Sequence, residues 1–92
     1  MKQFELPCYD SRKSFYGKAI VIETENGIYL KSYNTYVAMI TPENEVIRLW
    51  DSYSATTMRH INSFINHYNI TGGGKAWWDK LEVNNDCIRK AV

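Results

Sequence analysis

The sequence predicts an α+β fold: a four-stranded antiparallel β-meander, one main helix packed on one face of the sheet, and a short C-terminal helix or hook. Residues 16–50 contain short runs of β-branched and aromatic residues separated by turn residues. Residues 55–69 repeat apolar residues at three- and four-residue spacing, which is typical of an amphipathic helix. Residues 71–74 are then rich in glycine and precede a short segment with two tryptophans.

Four strands are expected within residues 16–50, and each has its own support. Residues 18–24 are rich in β-branched side chains, and the Glu-Asn-Gly that follows favours a hairpin because Asn26 and Gly27 tolerate positive φ. Residues 28–33 alternate, with one face formed by Ile28, Leu30 and Ser32 and the other by Tyr29, Lys31 and Tyr33. Residues 36–41 form a more apolar, central strand. Asn34 and Thr35 form the second turn, and Pro42 fixes φ at the first corner of the third. Residues 46–50 are the fourth strand, with Ile47 and Leu49 on one face and Arg48 on the other.

The main helix is expected to begin after Ser54, whose hydroxyl can accept a hydrogen bond from a first-turn amide. Its apolar stripe consists of Met58, Ile61, Phe64, Ile65 and Tyr68, and Arg59 and His60 project away from that stripe. The glycines of residues 72–74 end the helix, because glycine tolerates the left-handed cap conformation.

The remaining segments complete one domain over residues 1–92. Residues 1–15 are expected to be irregular because Pro7 interrupts any regular element there. Residues 75–83 predict a short second helix, since Trp77 and Leu81 are four residues apart, and residues 84–92 form a polar tail. Next to the tryptophan pair, the triple glycine also permits a mobile flap.

Charge and apolar content exclude several classes of protein. With 11 Lys and Arg against 10 Asp and Glu, the net charge is +1, which argues against a polyanion mimic and gives little non-specific attraction to a phosphate backbone. No apolar run approaches the ~20 residues that span a bilayer, and the first residues lack the apolar region of a secretory signal. We therefore expect a cytoplasmic protein in which Cys8 and Cys87 are reduced, although a disulfide between them stays open.

No metal, cofactor or catalytic centre is predicted. His60 and His67 are about 10 Å apart along a helix, too far for one zinc ion. A hydrolase built from Ser52 or Ser54 with His60 and Asp51 is disfavoured, since Ser54 and His60 lie nearly two helical turns apart on different faces. The Thr-Gly-Gly-Gly-Lys of residues 71–75 lacks the spacing and the following Ser or Thr of a phosphate-binding loop. We expect no enzyme activity.

Candidate contact residues are aromatic and basic. Aromatic side chains on a sheet face, with lysine or arginine nearby, are typical of proteins that bind single-stranded nucleic acid. Tyrosine, tryptophan and arginine are also enriched in protein interfaces. The predicted partner-binding residues are Tyr29, Lys31, Tyr33, Tyr36, Arg48, Arg59, His60, Trp77 and Trp78. Arg59 and His60 have a second interpretation, in which they brace the loop of residues 51–53 by hydrogen bonds.

Two motifs carry a resemblance. Residues 32–40 read Ser-Tyr-x-Thr-x-Val-Ala-x-Ile, and residues 53–64 read Tyr-Ser-x-Thr-Thr-x-Arg-His-Ile-x-x-Phe. The stretch from Tyr29 to Ile65 resembles a family of short, largely uncharacterised proteins from phages and mobile elements of Gram-positive bacteria. Residues 1–15 and those from Gly72 onward fall outside the resemblance. It implies an accessory gene of a phage or prophage and carries no activity with it.

These observations lead to one expected function and two alternatives. We expect a small accessory protein that binds one host or phage protein stoichiometrically, as an inhibitor of a host defence component such as a CRISPR effector nuclease (an anti-CRISPR type of inhibitor). The alternative is a small protein that binds single-stranded nucleic acid. A self-assembling structural module is the third option.

Overall fold

The structure, a computed structural model, describes residues 2–6 and 18–84. Five strands form one antiparallel sheet in the order β1-β2-β3-β4-β5. The elements are β1 (Lys2–Glu5), β2 (Ala19–Thr24), β3 (Gly27–Ser32), β4 (Thr35–Ile40), β5 (Val46–Arg48), α1 (Ala55–His67) and α2 (Lys75–Lys80). The predicted α+β class is confirmed, and the sheet has one strand more than the sequence predicted.

The additional strand is β1, in the segment that was expected to be irregular. Phe4 pairs with Val21 of β2, and the amide of Leu6 donates to the carbonyl of Ala19 at 2.8 Å. Phe4 and Leu6 turn toward the core while Gln3 and Glu5 are exposed, which is the alternation of a strand. The alternation spans only a few residues, and the expectation of an irregular segment is wrong for residues 2–5. Residues 7–15 lie outside the described residues.

The main helix begins as predicted and ends differently. The amide of Thr57 donates to the Ser54 hydroxyl at 3.1 Å, which confirms Ser54 as the N-cap. At the other end, Asn69 rather than a glycine takes the left-handed conformation, with φ of 59°. The amide of Ile70 donates to the carbonyl of Ile65 at 2.9 Å, which is the hydrogen bond of a Schellman cap. The helix therefore ends at His67, before the glycines.

The second helix is also shorter than the predicted 75–83. It ends at Lys80, and the chain then becomes extended beside β5. Val83 forms an isolated parallel bridge with Arg48, and the amide of Asn84 donates to the carbonyl of Arg48 at 2.7 Å. The end of β5 is thus covered on its outer side. The tail beyond Asn84, with Cys87, and the segment containing Cys8 lie outside the described residues.

Apolar side chains form two clusters, one on each face of the sheet. The larger lies between the sheet and the helices and includes Leu30, Phe64 and Trp78. The smaller, on the opposite face, consists of Ile22, Tyr29, Met39 and Leu49, with Ile20, Tyr36 and Ile47 packed against it. A β-bulge between Leu30 and Lys31 shifts the register. Because of it, the consecutive residues Val37 and Ala38 both join the larger cluster.

Turns connect β2 to β3, β3 to β4 and β4 to β5, as predicted, but the second consists of Tyr33 and Asn34 rather than Asn34 and Thr35, because Thr35 pairs with Ser32. Of the Asn-Gly pair only Gly27 has positive φ, 145°, and a Cβ there would lie 2.7 Å from the carbonyl oxygen of Ile40. Glycine is needed at this point because β4 approaches so closely. Pro42 lies at the first corner of its turn, as predicted, and the amide of Asn44 donates to the carbonyl of Thr41 at 2.9 Å.

Candidate functional site

His60 is the most deeply buried polar residue of α1. Its side chain is 0% exposed, and its Nδ1 lies 2.7 Å from the Oγ of Ser32 on β3. The Ser32 hydroxyl also lies 3.2 Å from that of Thr57. The expectation that His60 projects away from the packed stripe is wrong, because the stripe was drawn from apolar residues alone and Thr57 and His60 extend it. Ser32 was placed on the face of Ile28 and Leu30, and a polar residue on that face is the sequence signal that could have indicated a polar partner on α1.

The imagined serine hydrolase does not assemble. Ser54 caps α1, and the exposed Ser52 hydroxyl lies 3.3 Å from the Oδ1 of Asp51. The hydroxyl that does meet His60 belongs to Ser32, which is only 2% exposed. A substrate cannot reach this hydroxyl in the described conformation, so the pair connects α1 to β3.

Arg48 and Trp78 brace the connection between β5 and α1. The Arg48 Nε donates to the carbonyl of Trp50 at 2.8 Å, its Nη1 to that of Trp78 at 2.9 Å, and its Nη2 to that of Ser52 at 3.4 Å. The Trp78 Nε1 donates to the same Ser52 carbonyl at 3.0 Å, and the guanidinium lies 4.7 Å from the Trp78 ring centre. The bracing that was considered for Arg59 and His60 is therefore made by these two residues, both buried.

The predicted aromatic contact residues on the sheet face opposite the helices do not form one exposed surface. Tyr29 is 0% exposed and offers no contact surface, while the half-buried Tyr36 meets it edge to face with ring centres 6.2 Å apart. The Lys31 ammonium lies 5.6 Å from the Tyr36 ring centre on that face. Arg48 lies on the other face, because it pairs with Ala38 of the helix-facing cluster.

Tyr33 leaves this face altogether, which corrects its predicted position. It follows the last residue of β3 and has φ of 56°, an outlier for a bulky side chain. Its amide donates to the carbonyl of Lys18 at 2.6 Å, and the Lys18 ammonium lies 5.6 Å from its ring centre. The ring lies over the buried His60, with centres 5.8 Å apart, yet Tyr33 remains 47% exposed.

A second exposed tyrosine was not among the predicted contact residues. Tyr53 is 41% exposed, immediately before the cap of α1, and the Lys75 ammonium lies 5.4 Å from its ring centre. Lys75 also donates to the Oδ2 of Asp79 at 2.7 Å, and this hydrogen bond holds the pKa of Lys75 above its ordinary value. Tyr53 belongs to a motif of the resemblance, but nothing in the local pattern indicated that a lysine of α2 would cover it.

These pairs lie at one end of the sheet, where β2 begins, β3 ends, β4 begins and β5 ends. We call this region the lysine–tyrosine end and define it as Lys18, Lys31, Tyr33, Tyr36, Tyr53 and Lys75. The other end of the sheet carries four glutamates, which we call the acidic end: Glu23 near the end of β2, and Glu25, Glu43 and Glu45 in the connections between strands. Two further acidic residues lie at the lysine–tyrosine end: Glu5, which pairs with Ile20, and Asp51, which follows β5. Each end of the sheet therefore carries charges of both signs, since Lys2 pairs with Glu23 at the acidic end.

Arg59 and Trp77 complete the predicted set. Arg59 is partly exposed on α1, and within residues 2–6 and 18–84 its guanidinium makes no hydrogen bond or salt bridge. Trp77 is half-buried beside Trp78, with ring centres 6.2 Å apart. Its indole lies so close to Gly72 that a Cβ there would be 2.7 Å from the ring. The glycine segment thus serves close packing in this conformation.

Two further properties bear on the kind of site. Among the described residues, no three side chains of His, Cys, Asp or Glu are grouped so that they could hold a metal ion. In the same part of the chain, neither helix has the length and apolar character needed to cross a membrane.

A family model matches residues 4–80, from β1 to the last residue of α2. The matched range contains the Tyr29 to Ile65 segment and extends beyond it on both sides. Neither the curated proteins nor the solved structures provide a match. Since the model covers more than half of the chain, the protein belongs to DUF8033, a family of unknown function.

Proposed function

We propose that this protein is a non-enzymatic, stoichiometric binder of one protein partner and that it contacts the partner through the lysine–tyrosine end. The observation that carries the proposal is Tyr33, an exposed tyrosine in the left-handed conformation at the tip of a two-residue turn. Tyrosine is among the residues that dominate the binding energy of protein interfaces.

The conformation of Tyr33 is costly for the fold. Of the two turn residues, only Tyr33 has positive φ, a conformation in which glycine or asparagine is usual. A bulky residue in this region costs about 1–3 kcal/mol, and such strain clusters at functional sites. Glycine would form the turn without that cost, so the presence of an exposed ring here supports a role in binding.

Lys18 and Lys75 complete the surface around the two exposed tyrosines. Each ammonium lies against a ring, at 5.6 Å from Tyr33 and 5.4 Å from Tyr53. Cation–π contact restricts both partners, so less side-chain entropy is lost when a protein binds there. The surface is thus partly organised before a partner arrives.

The partner class follows only from the resemblance. We propose that the protein acts in the cytoplasm of a host cell as an accessory protein of a phage or mobile element that inhibits a defence component, such as a CRISPR effector. The support is the pair of motifs in residues 32–40 and 53–64, which include both exposed tyrosines. A test is plasmid interference by a CRISPR system in cells with and without the protein; unchanged interference would argue against this partner class.

Binding of single-stranded nucleic acid is the second candidate, favoured by the pairing of lysines with tyrosine rings. The burial of Tyr29 argues against nucleic-acid binding, because this ring is not available for stacking with a base. Binding to a labelled oligonucleotide that falls steeply with added salt would favour this candidate.

The proposed function is tested with the tagged protein as bait in host lysate. Tyr33→Gly removes the ring and suits the turn, and Asn44→Gly is the matched control, since Asn44 also has positive φ, 66°, in the turn at the acidic end. We expect the wild type and Asn44→Gly to recover one protein in equimolar amount and Tyr33→Gly to lose it. Recovery of no protein, or equal recovery by Tyr33→Gly, would reject the proposal.

A further inference from the structure

We infer that two copies of this chain pair with each other through β1, so that their sheets join into one continuous sheet. The inference concerns a different surface from the lysine–tyrosine end and does not rest on the proposed function. It follows from the two edges of the sheet, β1 and β5, which differ in what covers them.

The edge at β5 is covered, whereas the edge at β1 is open. The segment after α2 runs along the outer side of β5, where the amide of Asn84 donates to the carbonyl of Arg48 at 2.7 Å. In the described part of the chain, β1 pairs with β2 alone, and three of its four residues are exposed. An exposed edge strand presents unpaired backbone donors and acceptors, to which another strand can be added.

The register between β1 and β2 decides which backbone groups point outward. The amide of Leu6 donates to the carbonyl of Ala19 at 2.8 Å, so Leu6 and every second residue before it form the hydrogen-bonded pairs with β2. The amides and carbonyls of Gln3 and Glu5 therefore point away from β2. Within residues 2–6 and 18–84, no group bonds to them. An added strand would bond to these two residues.

The sequence of β1 is complementary to itself in an antiparallel pairing centred on Phe4. Outward-pointing residues pair with outward-pointing residues, which places Gln3 opposite Glu5 of the second copy, and Glu5 opposite its Gln3. Each of these pairs exchanges two backbone hydrogen bonds, and the Gln3 side-chain amide can donate to the Glu5 carboxylate. Lys2 lies opposite Leu6, so no two like charges face each other directly.

Phe4 provides the apolar contact at the centre of this pairing. Its side chain lies on the helix face, packs against the larger cluster and stays half-buried at the open edge. Opposite residues of a non-hydrogen-bonded antiparallel pair have Cβ atoms about 5 Å apart, which brings the two Phe4 rings into contact. The His67 ring centre lies 5.9 Å from that of Phe4, so the last turn of α1 lies beside the interface.

The size of the contact indicates a weak dimer. Because β1 has only four residues, the interface consists of two hydrogen-bonded pairs and the Phe4 contact. Such a contact buries less than the roughly 1,200 Å² of a stable protein interface, and we expect the dimer to dissociate on dilution. The antiparallel arrangement points the two lysine–tyrosine ends in opposite directions, so that each copy retains its own binding surface.

The inference is tested by the solution mass of the full-length protein at a series of concentrations. We expect the mass of a monomer in the low micromolar range and a rise toward that of a dimer near about 1 mM. Glu5→Pro removes the outward amide without removing a hydrogen bond to β2. Glu5→Ala is the matched control, because it removes the same carboxylate and keeps the amide. We expect Glu5→Pro to dimerise about tenfold more weakly than Glu5→Ala.

A pair of cysteine variants tests the register, in a chain that also carries Cys8→Ser and Cys87→Ser. Phe4→Cys places two thiols directly opposite each other, at a Cα separation of about 4.5 Å that a disulfide can bridge. Gln3→Cys is the matched control, because Gln3 lies opposite Glu5 and not opposite its own copy. We expect mild oxidation to produce a covalent dimer of Phe4→Cys and not of Gln3→Cys.

Three results would each overturn the inference: a monomeric mass at every concentration, equal dimerisation of Glu5→Pro and Glu5→Ala, or preferential cross-linking of Gln3→Cys. Phe4→Cys removes a half-buried ring, so circular dichroism first establishes that the variant is folded. If it is not, the wild-type mass and the two Glu5 variants decide the question.

Discussion

The Nδ1 atom of His60 lies 2.7 Å from the hydroxyl oxygen of Ser32, and both side chains are buried. This contact joins the second turn of α1 to the last residue of β3, directly before the turn that carries Tyr33. The exposed ring of Tyr33 in turn lies over His60. The binding surface that we propose is thus built on a polar contact of the core.

Removal of the Ser32 hydroxyl tests this contact. Ser32→Ala deprives the buried His60 nitrogen of a hydrogen-bond partner, and we expect the free energy of unfolding to fall by about 1–3 kcal/mol. The control is Ser52→Ala, because the Ser52 hydroxyl is exposed and only its backbone carbonyl is used by Arg48 and Trp78. Urea denaturation measures both variants. Equal stability of the two would show that the Ser32 hydroxyl contributes nothing.

The role of Arg48 is tested by comparing two arginine-to-lysine changes. Lysine cannot reproduce the forked donation to the carbonyls of Trp50 and Trp78, and we expect Arg48→Lys to destabilise the fold by about 2–3 kcal/mol. Arg59→Lys should change stability by less than about 0.5 kcal/mol, because Arg59 makes no hydrogen bond within the described residues. Thermal and urea unfolding provide the comparison. A similar loss in both variants would contradict the bracing role of Arg48.

The contact between Tyr68 and Glu23 predicts a dependence on alkaline pH. Partial burial, followed by the hydrogen bond to Glu23 and its charge, raises the pKa of Tyr68 in the folded state. A raised folded-state pKa stabilises the fold below the ordinary tyrosine pKa of about 10, and this stabilisation is lost as the pH rises through the folded-state pKa.

Tyr68→Phe removes this titration, since it has no phenolic proton. We expect the difference in unfolding free energy between wild type and Tyr68→Phe to be constant from about pH 7 to pH 9 and to shrink above about pH 10. Denaturation at a series of pH values measures the difference. A difference that stays constant to the alkaline limit of reversible unfolding would contradict the assignment.

Local signals in the sequence were sufficient for the parts of the fold that depend on near neighbours. The Ser54 cap, the alternation of Ile28, Leu30 and Ser32, and the corner at Pro42 each follow from residues within a few positions. Those features are confirmed. β1 and the burial of His60 were missed because each depends on a distant partner, Ala19–Thr24 and Ser32 respectively, and the local signal is short: two alternating apolar residues in β1 and one polar residue on the helical stripe.

The candidate site shows the same division. Tyr33 was selected from its residue type, but its exposure follows from a turn conformation that the sequence would assign to glycine or asparagine. Lys18, Tyr53 and Lys75 were missed because α2 and the start of β2 come together with the two tyrosines only in the folded chain. Tyr29, Arg48 and Trp78 were selected as contact residues, yet their size and hydrogen bonds place them in the core.

The central claim is that Tyr33 is kept in a strained turn for binding rather than for folding. The most direct test measures two quantities for Tyr33→Gly: the free energy of unfolding and the recovery of the protein partner. We predict a free energy within about 1 kcal/mol of wild type, because relief of strain offsets the lost ring contact with His60, together with loss of the partner. Retained partner recovery, or a loss of stability beyond about 3 kcal/mol, would contradict the claim.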